Sequence, residues 1–163
     1  MTVTTRTISA AIPAPFGSLV LRIDETGLCA VDIRPEEAPA AGDATEPLIA
    51  ETARQFGLYF ADPRFEFSIP LVLGGTRNQQ AVWDALRRIP AGSTRTYGEL
   101  AQDLGSSARG IAAACRSNPL PIVIPCHRVV GRSSLGGYCG DTSGRWFAVK
   151  LWLLRHEGSL AAF

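Results

Sequence analysis

The sequence predicts an α+β protein: a small β-rich N-terminal domain over residues 1–73, then a mainly helical domain with a helix-turn-helix over residues 74–163. Three observations carry this. Short apolar runs flank a Gly-ended turn in the first third. Capped, 3.6-periodic segments fill the second half. The doublet Gly74-Gly75 interrupts both patterns between them.

Ser18–Ile23 and Leu28–Ile33 read as strands of a hairpin, with Asp24-Glu25-Thr26-Gly27 as its turn. Residues 35–47, rich in Pro, Ala, Gly and acids, read as a loop. Ile49, Ala53, Phe56 and Phe60 recur at helical spacing, predicting a helix over Leu48 to Phe60. Phe65-Glu66-Phe67-Ser68-Ile69 alternates like a strand.

Beyond the glycine doublet, Thr76-x-x-Gln79 has the form of a capping box, and Val82, Trp83, Leu86 and Ile89 share one helical face. Pro90-Ala91-Gly92 ends that helix. Thr96-x-x-Glu99 is a second capping-box pattern, opening a short helix through Leu104. Gly105-Ser106-Ser107 forms a turn, and a third helix runs from about Ala108 to Arg116. Two short helices joined by a Gly-containing turn make a helix-turn-helix pattern. Asn118 to Pro125 holds three prolines around apolar residues, predicting a rigid, buried, strand-like segment that delivers Cys126 to a fixed place. Gly131 to Gly144 reads as a loop, and a final amphipathic helix near Trp146 to His156 ends with Gly158 at C′.

Charge is segregated. Residues 1–70 hold ten acids and five bases, whereas residues 71–163 hold five acids and eleven bases. The asymmetry points to a polyanionic partner for the C-terminal half. Of the sixteen basic residues only Lys150 is not arginine. No apolar stretch reaches the ~18 residues of a membrane span, and the N-terminus lacks an apolar signal region, so a cytoplasmic location is expected. The four cysteines form no C-x-x-C pair, which disfavours a disulfide framework or a zinc site. Cys29 and Cys115 read as small buried hydrophobes.

Cys126 stands apart because His127 and Arg128 follow it. A thiolate is the nucleophile, so a reactive cysteine needs a base or a positive charge nearby. The chain has two histidines, His127 and His156, and Glu157 supplies a carboxylate at the end of the last helix. In extended backbone, neighbouring side chains diverge. Cys126 and His127 would then need a bridging water or a sharp turn to cooperate. On these residues alone, a nucleophile and a buried structural cysteine both stay open.

The run Asn118-Pro119-x-Pro121-Ile122-x-Ile124-Pro125-Cys126-His127-Arg128-Val129-Val130 resembles the active-site signature of the O6-alkylguanine-DNA alkyltransferases. Thr96 to Ala101, Ala108-Arg109-Gly110, Gly136-Gly137-Tyr138 and Lys150 to Gly158 follow the family in order. The resemblance implies a ribonuclease H-like N-terminal domain and irreversible transfer of one alkyl group to Cys126, in a chain used once. It implies that His127 deprotonates Cys126 through a water, that Glu157 orients His127, and that Asn118 braces the turn. Tyr97 would protonate the departing guanine and press on a phosphate. Arg109 would fill the gap left by the flipped base, with Thr96, Gly110, Ala112 and Ala113 close to the DNA. Tyr138, Cys139 and Val129 would line the substrate pocket. No cofactor and no metal are implied. The partner is double-stranded DNA carrying O6-alkylguanine, bound by a monomer, with cooperativity left open. The loop over residues 139–145 looks longer than the family's common form. Three other readings are a thiol hydrolase, a lesion sensor that binds without repair, and a helix-turn-helix transcription regulator with an incidental cysteine; the presence of Cys126 argues against the sensor.

Overall fold

The computed structural model describes residues 5–40, 42, 44–138 and 143–160. The chain forms two compact units, Met1–Leu73 and Gly74–Phe163.

The first unit is an antiparallel sheet covered by one helix. Strands β1 (Ile8–Ala14), β2 (Gly17–Ile23) and β3 (Leu28–Pro35) lie in the order β1-β2-β3. The turn between β2 and β3 closes on Asp24, whose Oδ1 accepts from the Thr26 amide at 2.7 Å and the Gly27 amide at 3.0 Å. Alternation buries Leu19, Leu21 and Ile23 of β2 with Ile12, Val31 and Ile33. Helix α1 (Pro47–Ala61) opens with Pro47 in its first turn, where a missing amide is harmless. It buries Ile49, Phe56 and Tyr59 and packs on β1 and β2.

Two sequence expectations need correction here. Strand β1 was not foreseen, because the small residues of Ser9-Ala10-Ala11 dilute its alternation. Residues 65–69 are not a strand. Phe67 does pack inward, with ring centroids 5.0 Å from Phe56 and 5.7 Å from Tyr59. The backbone there pairs with a side chain instead of a ladder: the Ser68 amide donates to Gln55 Oε1 at 2.9 Å.

The second unit is mainly helical. Helix α2 (Arg77–Arg87) begins with a reciprocal capping box between Thr76 and Gln79. Thr76→Ala should lower the unfolding free energy by about 1 kcal/mol, measured as a shift of the urea midpoint at unchanged slope. Strand β4 (Arg95–Thr96) leads into α3 (Tyr97–Leu104), and α4 (Ala108–Arg116) follows after Gly105, whose φ of 62° is left-handed. The cap on α3 is only half the expected box. Thr96 accepts from the Glu99 amide at 3.0 Å, but the Glu99 carboxylate turns to Arg95 at 3.1 Å. Helices α3 and α4 pack on each other and on α2, where the Trp83 indole donates to the Ala114 carbonyl at 2.9 Å.

A one-turn 3-10 helix, Cys126–Arg128, runs into β5 (Val129–Val130). β5 pairs in parallel with β4, matching Arg95 with Val129 and Thr96 with Val130. That short pairing, also unforeseen, fastens the start of the helix-turn-helix beside the turn that carries Cys126. The last helix, α5 (Arg145–His156), ends in a Schellman motif. The Ser159 amide donates to the Leu154 carbonyl at 2.8 Å, and Gly158 takes a φ of 77°. The bend at Gly158 leaves Glu157, the C-cap residue of α5, buried in the unit.

Candidate active site

The segment before Cys126 is a series of tight turns, not the strand-like piece its prolines suggested. Pro121 bridges to Ile124, and Ile122 between them holds a φ of 77°. A β-branched residue in that region stores about 1–3 kcal/mol of strain, tolerated where the surroundings over-determine the backbone. Pro125, at φ −82° and ψ 67°, forms an inverse γ-turn, with the Cys126 amide donating to the Ile124 carbonyl at 2.8 Å. Asn118 ties both ends of the segment. Its Nδ2 donates to the Ile124 carbonyl at 2.8 Å, and its Oδ1 accepts from the Leu120 amide at 2.9 Å. Asn118→Ala removes both bonds from part-buried backbone groups and should cost about 2–4 kcal/mol, read by chemical denaturation.

Because Cys126 and His127 sit in a 3-10 turn, the divergence expected of extended neighbours does not apply. Both are buried, and His127 is fully enclosed. Its Nε2 lies 2.9 Å from Glu157 Oε2. An ionised carboxylate only accepts, so Nε2 carries the proton in neutral His127 and Nδ1 presents a lone pair. Among the described residues, no hydrogen-bond partner meets Nδ1. It is the atom free to take a proton.

The cation that meets Glu157 is Arg128, not its sequence neighbour Arg155. Arg128 grips the carboxylate in bidentate fashion, Nε to Oε1 and Nη2 to Oε2, each at 2.9 Å, while Nη1 donates to the Ile89 carbonyl at 2.6 Å. Burial alone would raise the Glu157 pKa, but hydrogen bonds from His127 and Arg128 outweigh it and hold the carboxyl well below its usual range. Burial lowers the His127 pKa, partly offset by Glu157. Both shifts make the fold acid-labile. The unfolded chain binds the extra proton first, so stability should fall as pH drops below 6.5, the ordinary histidine value, and again below 4.5, the ordinary glutamate value. Urea midpoints measured from pH 8 to pH 4 check this.

Burial also raises the Cys126 thiol, while Asn118, Lys150 and Tyr138 pull it back. Tyr97, half-buried, is pushed up to about 12 by desolvation and stays a proton donor. Its ring packs against Gly136, where an added Cβ would come within 3.0 Å of Cε2. Tyr138 and Val129 are buried around the same turn. Cys139 lies outside the described residues. Thr96 caps α3, Gly110 donates to Ser107 Oγ at 3.0 Å, and Ala112 and Ala113 lie on α4. Arg109 is exposed in the first turn of α4 and makes no hydrogen bond or ion pair among the described residues. His156 stacks on Trp152, with ring centroids 4.8 Å apart. Cys29 and Cys115 are partly exposed, not the buried hydrophobes expected.

Sequence reasoning missed Arg128 and Lys150 as parts of the site. Arg128 was legible only as a positive charge next to Cys126, and nothing local revealed its reach to Glu157. Lys150 left one trace, as the single lysine among arginines.

Fold and site together define a helix-turn-helix protein with a buried cysteine backed by a histidine–glutamate pair. The chain belongs to the 6-O-methylguanine DNA methyltransferase family: the family's DNA-binding domain matches residues 77–159 and its ribonuclease-like domain matches residues 8–73. It is 38% identical over 156 residues to the methylated-DNA–protein-cysteine methyltransferase of Methanosarcina acetivorans, covering 92% of this chain and 97% of the relative. The Mycolicibacterium paratuberculosis enzyme of the same name is 37% identical, with coverage of 93% and 96%. The crystal structure of Mycobacterium tuberculosis O6-methylguanine methyltransferase superposes with a TM-score of 0.76 at 34% identity, covering 94% of each chain. The Mycobacterium tuberculosis protein in complex with DNA gives 0.76 at 35% identity, covering 93% of this chain and 92% of that one.

Proposed function

We propose that this protein repairs DNA by moving the alkyl group of O6-alkylguanine onto Sγ of Cys126, once per chain. The observation that carries the reading is a buried thiol in the unit that bears the helix-turn-helix, followed directly by a buried histidine whose ring is held by Glu157. His127 Nδ1, through a water, takes the thiol proton. The thiolate attacks the alkyl carbon, the S–C bond forms, and the C–O6 bond breaks with its electron pair passing to guanine. Tyr97 supplies a proton to the guanine, which leaves restored. The product is a neutral thioether, and none of these groups offers a route to hydrolyse it, so the protein is consumed. An alkylated O6 lies inside the base stack, so the nucleotide must be extruded first. Arg109 at the start of α4 enters the space left behind, and the arginines of this half meet the phosphates. Tyr138 and Val129 wall the pocket. The protein acts in the cytoplasm as a monomer on duplex DNA, with no metal or cofactor in the reaction.

The test is intact mass after incubation with a duplex oligonucleotide carrying O6-methylguanine. The expected result is a gain of one methyl group per chain, located at Cys126 and absent from Cys126→Ser. Transfer beyond one equivalent would instead establish a turnover hydrolase. Binding without mass gain would establish a lesion sensor.

A further inference from the structure

Helix α5 buries Val149, Lys150, Leu153 and Leu154 along one side. By helical geometry Arg145, Ala148, Leu151, Trp152, Arg155 and His156 share the other. Arg145, Ala148 and Arg155 are exposed there, and Leu151, Trp152 and His156 are partly exposed. Trp152 and His156 stack one turn apart, with ring centroids 4.8 Å apart and planes at 22°. The Arg145 guanidinium stands 5.1 Å over the Trp146 ring. From Ser143 to His156 the chain holds no Asp or Glu, and the carboxylate of Glu157 is taken by His127 and Arg128. Among the described residues neither Arg145 nor Arg155 makes an ion pair. The outward side of α5 is therefore an apolar centre between two cations, about 15 Å apart along the axis.

Helix stability accounts for only part of this pattern. Arg155 and His156 in the last turn complement the macrodipole, and aromatic side chains four residues apart support the helix. Arg145 does the opposite. It is the first residue of α5, where the macrodipole disfavours a cation, and no acid in that turn offsets it. The helix-turn-helix does not use this surface either, since it is built from α3 and α4. We propose that the outward side of α5 docks an acidic, amphipathic peptide segment of a partner protein. Its carboxylates meet Arg145 and Arg155, and its apolar side chains cover Ala148, Leu151 and Trp152. The unpaired guanidinium groups select an anion, and their planar forks suit carboxylates. The apolar centre selects a peptide over a phosphate backbone. Ala148 and Leu151 offer a phosphate no donor, whereas apolar side chains laid on them leave water. Tryptophan and arginine are the side chains that most often dominate such interfaces. His156 already holds the indole, so less freedom is lost on docking.

The chain's 3 tryptophans allow an NMR test on the intact protein through their indole N–H signals. Trp83 is buried and donates to the Ala114 carbonyl, so it serves as the internal control. The probe is a short synthetic peptide carrying Asp on one helical face and Leu on the other. Its titration should shift the Trp152 signal saturably and leave Trp83 in place. Affinity should fall about tenfold or more in Trp152→Leu, which keeps apolar cover but has no ring. The double variant Arg145→Gln with Arg155→Gln changes only exposed side chains and should lose as much, and wild-type binding should weaken with added salt. An unmoved Trp152 signal, or a folded variant of either kind that binds as tightly as wild type, overturns the proposal. Equal binding of polyaspartate also overturns it, because the apolar centre would then play no part. Single-stranded oligothymidylate that moves the same signal at lower concentration assigns the surface to nucleic acid. A shift on concentrating the protein alone assigns it to a second copy. Either result overturns the peptide as its occupant.

Discussion

Glu157→Gln is expected to slow methyl transfer by about 100-fold or more while leaving a folded protein, and Glu157→Ala to lose both rate and stability. An ionised carboxylate has no proton to donate. It only accepts, so it fixes the proton of His127 on Nε2, 2.9 Å away, and keeps Nδ1 as the base. An amide at this place can turn its NH2 toward Nε2, which stabilises the tautomer with the proton on Nδ1. That imidazole cannot take a proton from Cys126. Loss of a general base accounts for about 10²–10⁴ in rate. The amide also meets Arg128 with one acceptor where the carboxylate offered two at 2.9 Å. Alanine does more harm, because it leaves a part-buried guanidinium and an enclosed imidazole without their anion. Breaking such a pair costs about 3–5 kcal/mol. Single-turnover rates and urea midpoints of both variants measure this. A Gln variant that reacts at the wild-type rate would remove Glu157 and the assigned tautomer from the mechanism.

The same residue shows what a sequence can and cannot carry. Helices α2, α3 and α4 were legible because their apolar spacing and N-cap residues are local properties. Cys126, His127 and Glu157 were legible as types, and their motif named the family. The bidentate grip of Arg128 on Glu157 was not, because it joins residues 29 positions apart, and only the packing of α5 decides which cation Glu157 meets. The turns before Cys126 were misread for a related reason. Prolines announce restricted backbone, but Asn118 choosing the Ile124 and Leu120 backbone as its partners is a tertiary choice. Residues 65–69 fail in the opposite direction. Their alternation does bury Phe67, but the Gln55 side chain takes the backbone partner a strand would need. β4 and β5 have two residues each, too short for any periodicity to register.

Arg109→Ala is expected to slow repair in duplex DNA by about 100-fold and to leave the reaction with free O6-benzylguanine nearly unchanged. Arg109 is exposed in the first turn of α4, behind the Ser107 cap, and no partner among the described residues holds it back. The turn there is tight: a Cβ on Gly110 would come within 2.8 Å of Ser106 Oγ. The helix start is therefore a stiff base for a long, free guanidinium. Extruding a nucleotide costs a few kcal/mol, most of it lost stacking and pairing. A planar cation that stacks in the vacated space and hydrogen-bonds the orphaned base recovers part of that cost. Removing about 2.7 kcal/mol of such recovery is a hundredfold in rate. A free base needs no extrusion, so its reaction does not use the arginine. Arg109→Lys should rescue little, since an ammonium has no plane to stack. The competing role, a plain phosphate contact, predicts something different. It would weaken binding to lesion-bearing and undamaged duplex alike, lower the salt dependence by about one ion, and be restored by lysine. Equal losses on duplex and free base, or full rescue by lysine, would rule out insertion, because only a group that occupies the gap distinguishes a stacked lesion from a free one.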